Sequence, residues 1–142
     1  MKKSLLALAL LLPMAVSAAN YLPITSIEKH PLMVPAGLTL TAADVRAAMI
    51  RGAVTHDWVI RDVAPGRMEA VLVEPGAGDW TITLEFVYTA TDYSILYKSS
   101  ENLLDRKGHI HSSYSRWTRN LIKAIDAQAN AMQVERQTIP SA

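Results

Sequence analysis

Three candidate turns divide the middle of this sequence and fix which residues share a sheet face. They are Ala64-Pro65-Gly66, the run from Pro75 to Asp79, and the run from Thr89 to Asp92. Gly, Pro and Asp supply the backbone angles that tight turns need. Closing each as a simple hairpin sets Val63 opposite Arg67, Glu74 opposite Trp80 and Tyr88 opposite Tyr93. Opposed residues point to the same side of a sheet, and side chains alternate along each strand. Steps of two then collect Trp58, Ile60, Met68, Ala70, Leu72, Trp80, Ile82, Leu84, Phe86, Tyr88, Tyr93, Ile95 and Tyr97 on one face. A slip of one residue in any turn would scramble that face. The agreement of the three turns predicts a four-stranded antiparallel meander with one apolar side. The other side is mixed, as on a sheet wet on one face. There Arg61 falls opposite Glu69 as a cross-strand ion pair, and Val59 falls opposite Val71.

Two helices flank the strands. Thr41-Ala-Ala-Asp44 is a capping-box pattern, with Leu40 and Val45 at the two positions of a hydrophobic staple. Val45, Ala48, Met49 and Gly52 recur at helical spacing, and Gly52 sits near the expected end. The second helix starts near Ser112 or Ser113, either of them a good cap. Tyr114, Trp117, Leu121, Ile122 and Ile125 form its apolar stripe, with Arg116, Arg119 and Lys123 on the opposite side. Beyond Asp126 the stripe weakens, which predicts a helical extension with little packing and a frayed tail over 127–142. An apolar sheet face must be covered, and two helices suffice. The expected fold is therefore α+β: a two-layer, four-stranded antiparallel meander with two helices packed on one face, in the order α-β-β-β-β-α. The single domain spans 40–126. Residues 19–39, with Pro23, Pro31 and Pro35, are expected as an extended arm in which Ile24 to Lys29 pairs as a short edge strand.

Lys2 and Lys3, the apolar run Leu5 to Leu12, and Val16-Ser17-Ala18 form the pattern of a secretory signal peptide over 1–18, cleaved after Ala18. The run is too short to span a bilayer, which takes roughly 20 residues. Cleavage removes two of 14 basic residues and none of 13 acidic ones, leaving the mature chain one charge negative. That balance argues against a nucleic-acid partner bound by overall charge. The expected location is the periplasm, with secretion as the other outcome of export. The chain has no cysteine, which removes disulfides, thiolate metal sites and a cysteine nucleophile.

No catalytic motif is present: no phosphate-binding glycine loop, no G-x-S-x-G and no H-E-x-x-H. The expectation is a protein that is not an enzyme and carries no cofactor. Ser99, Ser100, Ser112, Ser113 and Ser115 are read as turn and cap residues, and Tyr88, Tyr93, Tyr97, Tyr114 and Trp117 as core aromatics with polar tips at the rim. His109 and His111 are the one close histidine pair. On an extended segment both rings face one way and could share a metal, with Asp105 or Glu101 as a third ligand. Charge is more informative. Seven acidic residues stand against Arg61 and Arg67 between Asp57 and Asp92. Five basic residues and no acidic one lie between Arg106 and Lys123. The basic stripe Arg116, Arg119 and Lys123 suits an anionic envelope component or an acidic envelope protein. The leading reading is a non-enzymatic binding or accessory module of the cell envelope. Two others stay open: a metal-binding protein using His109 and His111, and a homodimer formed through Val59, Val71, Val87 and Leu96.

The segment Tyr93 to Leu104, with Ile110-His-Ser-Ser-Tyr-Ser-Arg-Trp-Thr-Arg-Asn-Leu after it, resembles a group of small exported bacterial proteins. Many of these are lipoproteins, and none has an assigned function. The shared pattern is a tyrosine-rich strand, a Ser-x-Asn-Leu-type loop and an I-H-x-x-Y-x-x-W helix start, matched here by Tyr93, Ile95, Tyr97, Ser100, Asn102, Leu103, Ile110, His111, Tyr114, Trp117 and Leu121. Lacking cysteine, this chain does not share the lipid anchor. The resemblance singles out Asn102, His111, Tyr114 and Trp117, and His111 is expected to act as a structural clasp on the loop before the helix.

Overall fold

Two of the three hairpin pairings hold in the computed structural model, which describes residues 20–75 and 79–137, and the third shifts by one residue at its turn. The expected signal peptide, the tip of the second turn and the last five residues lie outside them. The elements run β1 (Tyr21–Leu22), β2 (Ile27–Pro31), α1 (Ala42–Val54), β3 (Val59–Ala64), β4 (Arg67–Glu74), β5 (Trp80–Tyr88), β6 (Asp92–Glu101), β7 (Ile110–His111) and α2 (Ser113–Gln137). The protein is α+β, with a five-stranded antiparallel sheet ordered β2-β6-β5-β4-β3 and a separate β1-β7 pair.

The meander is therefore extended by a fifth strand. The arm forms an edge strand three residues later than expected, ending at Pro31 beside Asp92. An edge is where a proline does not interrupt the ladder. A bulge between Ile27 and His30 places Lys29 at φ 49° and hides the alternation that would have marked the strand. β1 and β7, two residues each, are too short to show a pattern.

Register is kept at Arg61–Glu69, Glu74–Trp80 and Tyr88–Tyr93. The expected pairing of Val63 with Arg67 is replaced by Ala64 with Arg67, because a bulge at Val63 absorbs one residue. The turn then closes through Gly66, at φ 80°. A second bulge at Lys98 shifts the far end of β6, so that Thr83 meets Ser99. All thirteen residues of the expected apolar face lie in the core or pack against it. Ile60, Trp80 and Tyr97 are the partly buried ones. Val45, Ala48 and Met49 of α1 and Leu121 and Ile125 of α2 complete the same cluster.

Thr41 caps α1 as its pattern requires. Its Oγ1 accepts from the Asp44 amide at 3.1 Å, and Asp44 Oδ2 accepts from the Thr41 amide at 2.8 Å. Leu40 and Val45 are both buried. Arg136 of α2 donates to the other Asp44 oxygen at 2.7 Å. The Arg136 guanidinium first, and then the Thr41 amide, lower the Asp44 carboxyl to about 2 from 3.8. A carboxyl depressed on folding stabilises fully above its unfolded value, and the gain is lost as pH falls through the folded one. The stability gap between the wild type and Asp44→Asn should therefore be constant above pH ~4 and shrink between ~4 and ~2. Urea unfolding across that range checks it. A gap unchanged down to pH ~2 would mean that the ionised carboxylate contributes nothing.

α1 and α2 run antiparallel. Asp44, early in α1, meets Arg136 late in α2. Gly52, late in α1, lies against Ala124 and Ile125. The expectation of little packing beyond Asp126 is corrected here: Ala129, Met132 and Gln133 are buried. The reason is the antiparallel pairing, which lays the second half of α2 along α1. Gly52 lies near the end of its helix, as expected, and has a second role there. α1 runs to Val54 with Thr55 as its cap, and Gly52 marks the helix crossing.

Candidate functional site

The residues of the I-H-x-x-Y-x-x-W pattern gather at the start of α2. Neither serine side chain supplies the helix cap. His111 Nδ1 accepts from the Ser113 amide at 3.1 Å and lies 2.9 Å from Ser113 Oγ. An acceptor Nδ1 places the ring proton on Nε2. The imidazole lies beside Tyr21, edge-on at 5.6 Å, and Trp80, at 4.8 Å. Trp117 in turn lies edge-on to Trp80 at 6.1 Å. Tyr114 donates its hydroxyl to the Thr25 carbonyl at 2.6 Å. Burial first, and then the neighbouring Tyr97, push that hydroxyl up to about 12, so it remains a donor. Asn102 turns the chain at φ 62° and reaches the Asp79 carbonyl at 3.5 Å. His111 against Tyr21 and Tyr114 on the Thr25 carbonyl, with the β1–β7 pair and the Ser112 amide on the Asn20 carbonyl, tie the N-terminal arm to the body.

His109 and His111 have different partners. His109 Nδ1 lies 3.4 Å from Asp105 Oδ2, whereas His111 serves the helix cap. Asp105 Oδ1 accepts from the amides of Lys107 and His109, both at 2.9 Å. Burial is the largest single effect and opposes its charge, but these amides together with the His109 ring outweigh it and hold the carboxyl below its usual value. No group of three or more His, Asp or Glu side chains placed to hold a metal ion occurs among the described residues. Asp105 is thus a turn-forming acceptor, and Glu101 is not gathered with the pair into such a group.

Arg116, Arg119 and Lys123 are exposed, one above another on the outer side of α2. None of the ion pairs among the described residues includes them. Arg46, Arg61, Arg67, Lys98 and Arg136 each have a carboxylate partner. On the outer sheet face Glu69 is clamped between Arg61 and Lys98, which both lower its carboxyl, Lys98 the more. Val59 is 69 % exposed, whereas Val71, Val87 and Leu96 are half-buried. The apolar patch expected for a dimer is therefore thinner than the valine pattern suggests.

A cleft of about 560 Å³ opens between the arm and α2. Leu32, Met33, Ala127 and Ala129 contribute apolar wall, and Asp126 and His30 contribute polar floor. Asp126 Oδ2 accepts from His30 Nε2 at 2.9 Å, and Oδ1 accepts from the Tyr93 hydroxyl at 2.8 Å. Burial, and then the carboxylate beside it, push the Tyr93 phenol far up, so it stays a donor. The sequence reading missed this trio. Its one available signal was Asp126, the only acidic residue between Ser113 and Val134.

No helix among the described residues is long and apolar enough to cross a membrane. Comparison of the chain with protein-family models, curated proteins and solved structures finds no match.

Proposed function

We propose that this chain is an exported periplasmic protein that acts, without catalysis, as a binding or accessory module of the cell envelope. Its contact surface is the outer face of α2, and its partner is an anionic headgroup surface. The observation that carries this reading is the contrast among cations. Five of the twelve described Lys and Arg residues are neutralised by carboxylates; of the other seven, Arg116, Arg119 and Lys123 stand together, exposed, on one face of α2. A stack of exposed cations attracts an anionic surface by about 1 kcal/mol per side chain at close range. Salt screens that attraction over about 10 Å at 0.1 M.

The test is co-sedimentation of the mature protein with vesicles of phosphatidylglycerol and of phosphatidylcholine. Binding should be confined to the anionic vesicles and weaken with salt. Replacing all three cations by Gln should reduce it at least tenfold, since three contacts of ~1 kcal/mol are removed. Equal binding of the triple variant, or equal binding to both vesicles, would reject this surface.

A further inference from the structure

The cleft between β2 and α2 opens one helical turn beyond Lys123, the last cation of the basic stripe, and its own lining has the opposite chemistry. Its lining, which includes His30, Leu32, Met33, Asp126 and Ala127, has no Lys or Arg in it. Asp126 is its only formal anion. A carboxylate has about four acceptor positions, and His30 and Tyr93 occupy one on each oxygen. The Asp126 side chain is still 42 % exposed, so acceptor capacity remains toward the cleft. Both partners fix the carboxylate before anything binds, which removes much of the ordering that a loose side chain would require. Above it, Met33 is 85 % exposed, a flexible thioether at the mouth suited to apolar groups of varied shape. A volume of about 560 Å³ falls within the range of small-molecule sites.

We infer that this cleft binds a small amphipathic cation, its ammonium on Asp126 and its apolar body against Leu32, Met33 and Ala127. The charge-assisted hydrogen bond selects the head group, and wall contact supplies the rest. Aliphatic alcohols lose the charge, and carboxylates of the same length are repelled. The inference does not depend on the anionic-surface reading, because neither Arg116, Arg119 nor Lys123 lines the cleft.

The experiment titrates the ¹⁵N- and methyl-labelled mature protein with hexylammonium, hexanol and hexanoate in parallel. Hexylammonium should shift the Met33 methyl and the amides of 30–33 and 126–130, with at least tenfold higher affinity than hexanol. Hexanoate should bind more weakly still. Asp126→Asn should remove at least tenfold of the hexylammonium affinity and leave hexanol unchanged. Should that variant unfold, Ala127→Phe decides the matter. Ala127 is exposed on α2, so a phenyl group there fills the cleft without entering the core. It should abolish binding of all three probes at an unchanged unfolding midpoint. Equal affinity for hexylammonium and hexanol, shifts centred outside the cleft, or full binding by a folded Ala127→Phe would each overturn the inference. The Arg116, Arg119 and Lys123 triple variant should bind hexylammonium normally, which keeps this test separate from the vesicle test.

Discussion

Replacing Gly52 by Ala should destabilise the protein by about 3 kcal/mol, although alanine is the better helix former by about 1 kcal/mol. The two effects have opposite signs, and geometry decides between them. A Cβ on Gly52 would stand 2.7 Å from the Ile125 nitrogen and 2.9 Å from the Ala124 carbonyl carbon. Both are backbone atoms of α2, so no side chain can rotate away. The helices must move apart by more than half an ångström at their closest approach. A gap of 0.5–1 Å already forfeits about a quarter to a half of each van der Waals contact across it. Ala48, Met49, Ile125 and Ala129, all buried, would lose contact together. Urea unfolding with an unchanged m-value reads the loss directly. A midpoint that rises instead would show that propensity wins and that α2 gives way at no expense. Gly52→Val should be worse than Gly52→Ala, because a larger group meets the same wall.

Gly52 also shows where reading the sequence stops. Its place on the apolar stripe of α1 was legible, and so was a reason for glycine near a helix end. That it is the crossing point was not, because a crossing depends on where a second helix lies. The sheet was far more legible. Side chains alternate with a period of two, so three short turns fixed the face of thirteen residues, and bulges at Val63 and Lys98 shifted only strand ends. The arm was harder to read, because β2 is held by its edge pairing and broken by a bulge at Lys29. The trio of the cleft was hidden for a different reason. His30 and Asp126 are 96 residues apart, and no local spacing links them. The candidates that local spacing did suggest, His109 and His111, proved to be a turn neighbour and a helix cap.

Ending the chain after Asp126 should destabilise it by about 5 kcal/mol, which is close to the whole stability of many small domains. An extension with little packing would be dispensable, and its removal would leave the midpoint of unfolding in place. The burial argues otherwise. Met132 is 9 % exposed and Ala129 is 2 % exposed. Burying a methionine side chain stabilises by roughly 1.5–3 kcal/mol, and each further methyl adds about 0.8. Their loss also uncovers the first turns of α1, where Leu40 and Val45 are buried. Arg136 contributes its bond to Asp44 and another to the Thr39 carbonyl at 3.1 Å. Exposed pairs of that kind stabilise only modestly, because solvent screens them. Arg136 also lies in the last turn of α2, where a cation favours the helix dipole. These contributions act at one place, the N-terminal half of α1, so they should fail together. The truncated chain should show reduced helicity by circular dichroism and rapid exchange of the α1 amides. Met132→Ala alone should lose about 2 kcal/mol, and Arg136→Gln clearly less. That ordering places the energy in the apolar contact between the helices, with the ion pair fixing their alignment.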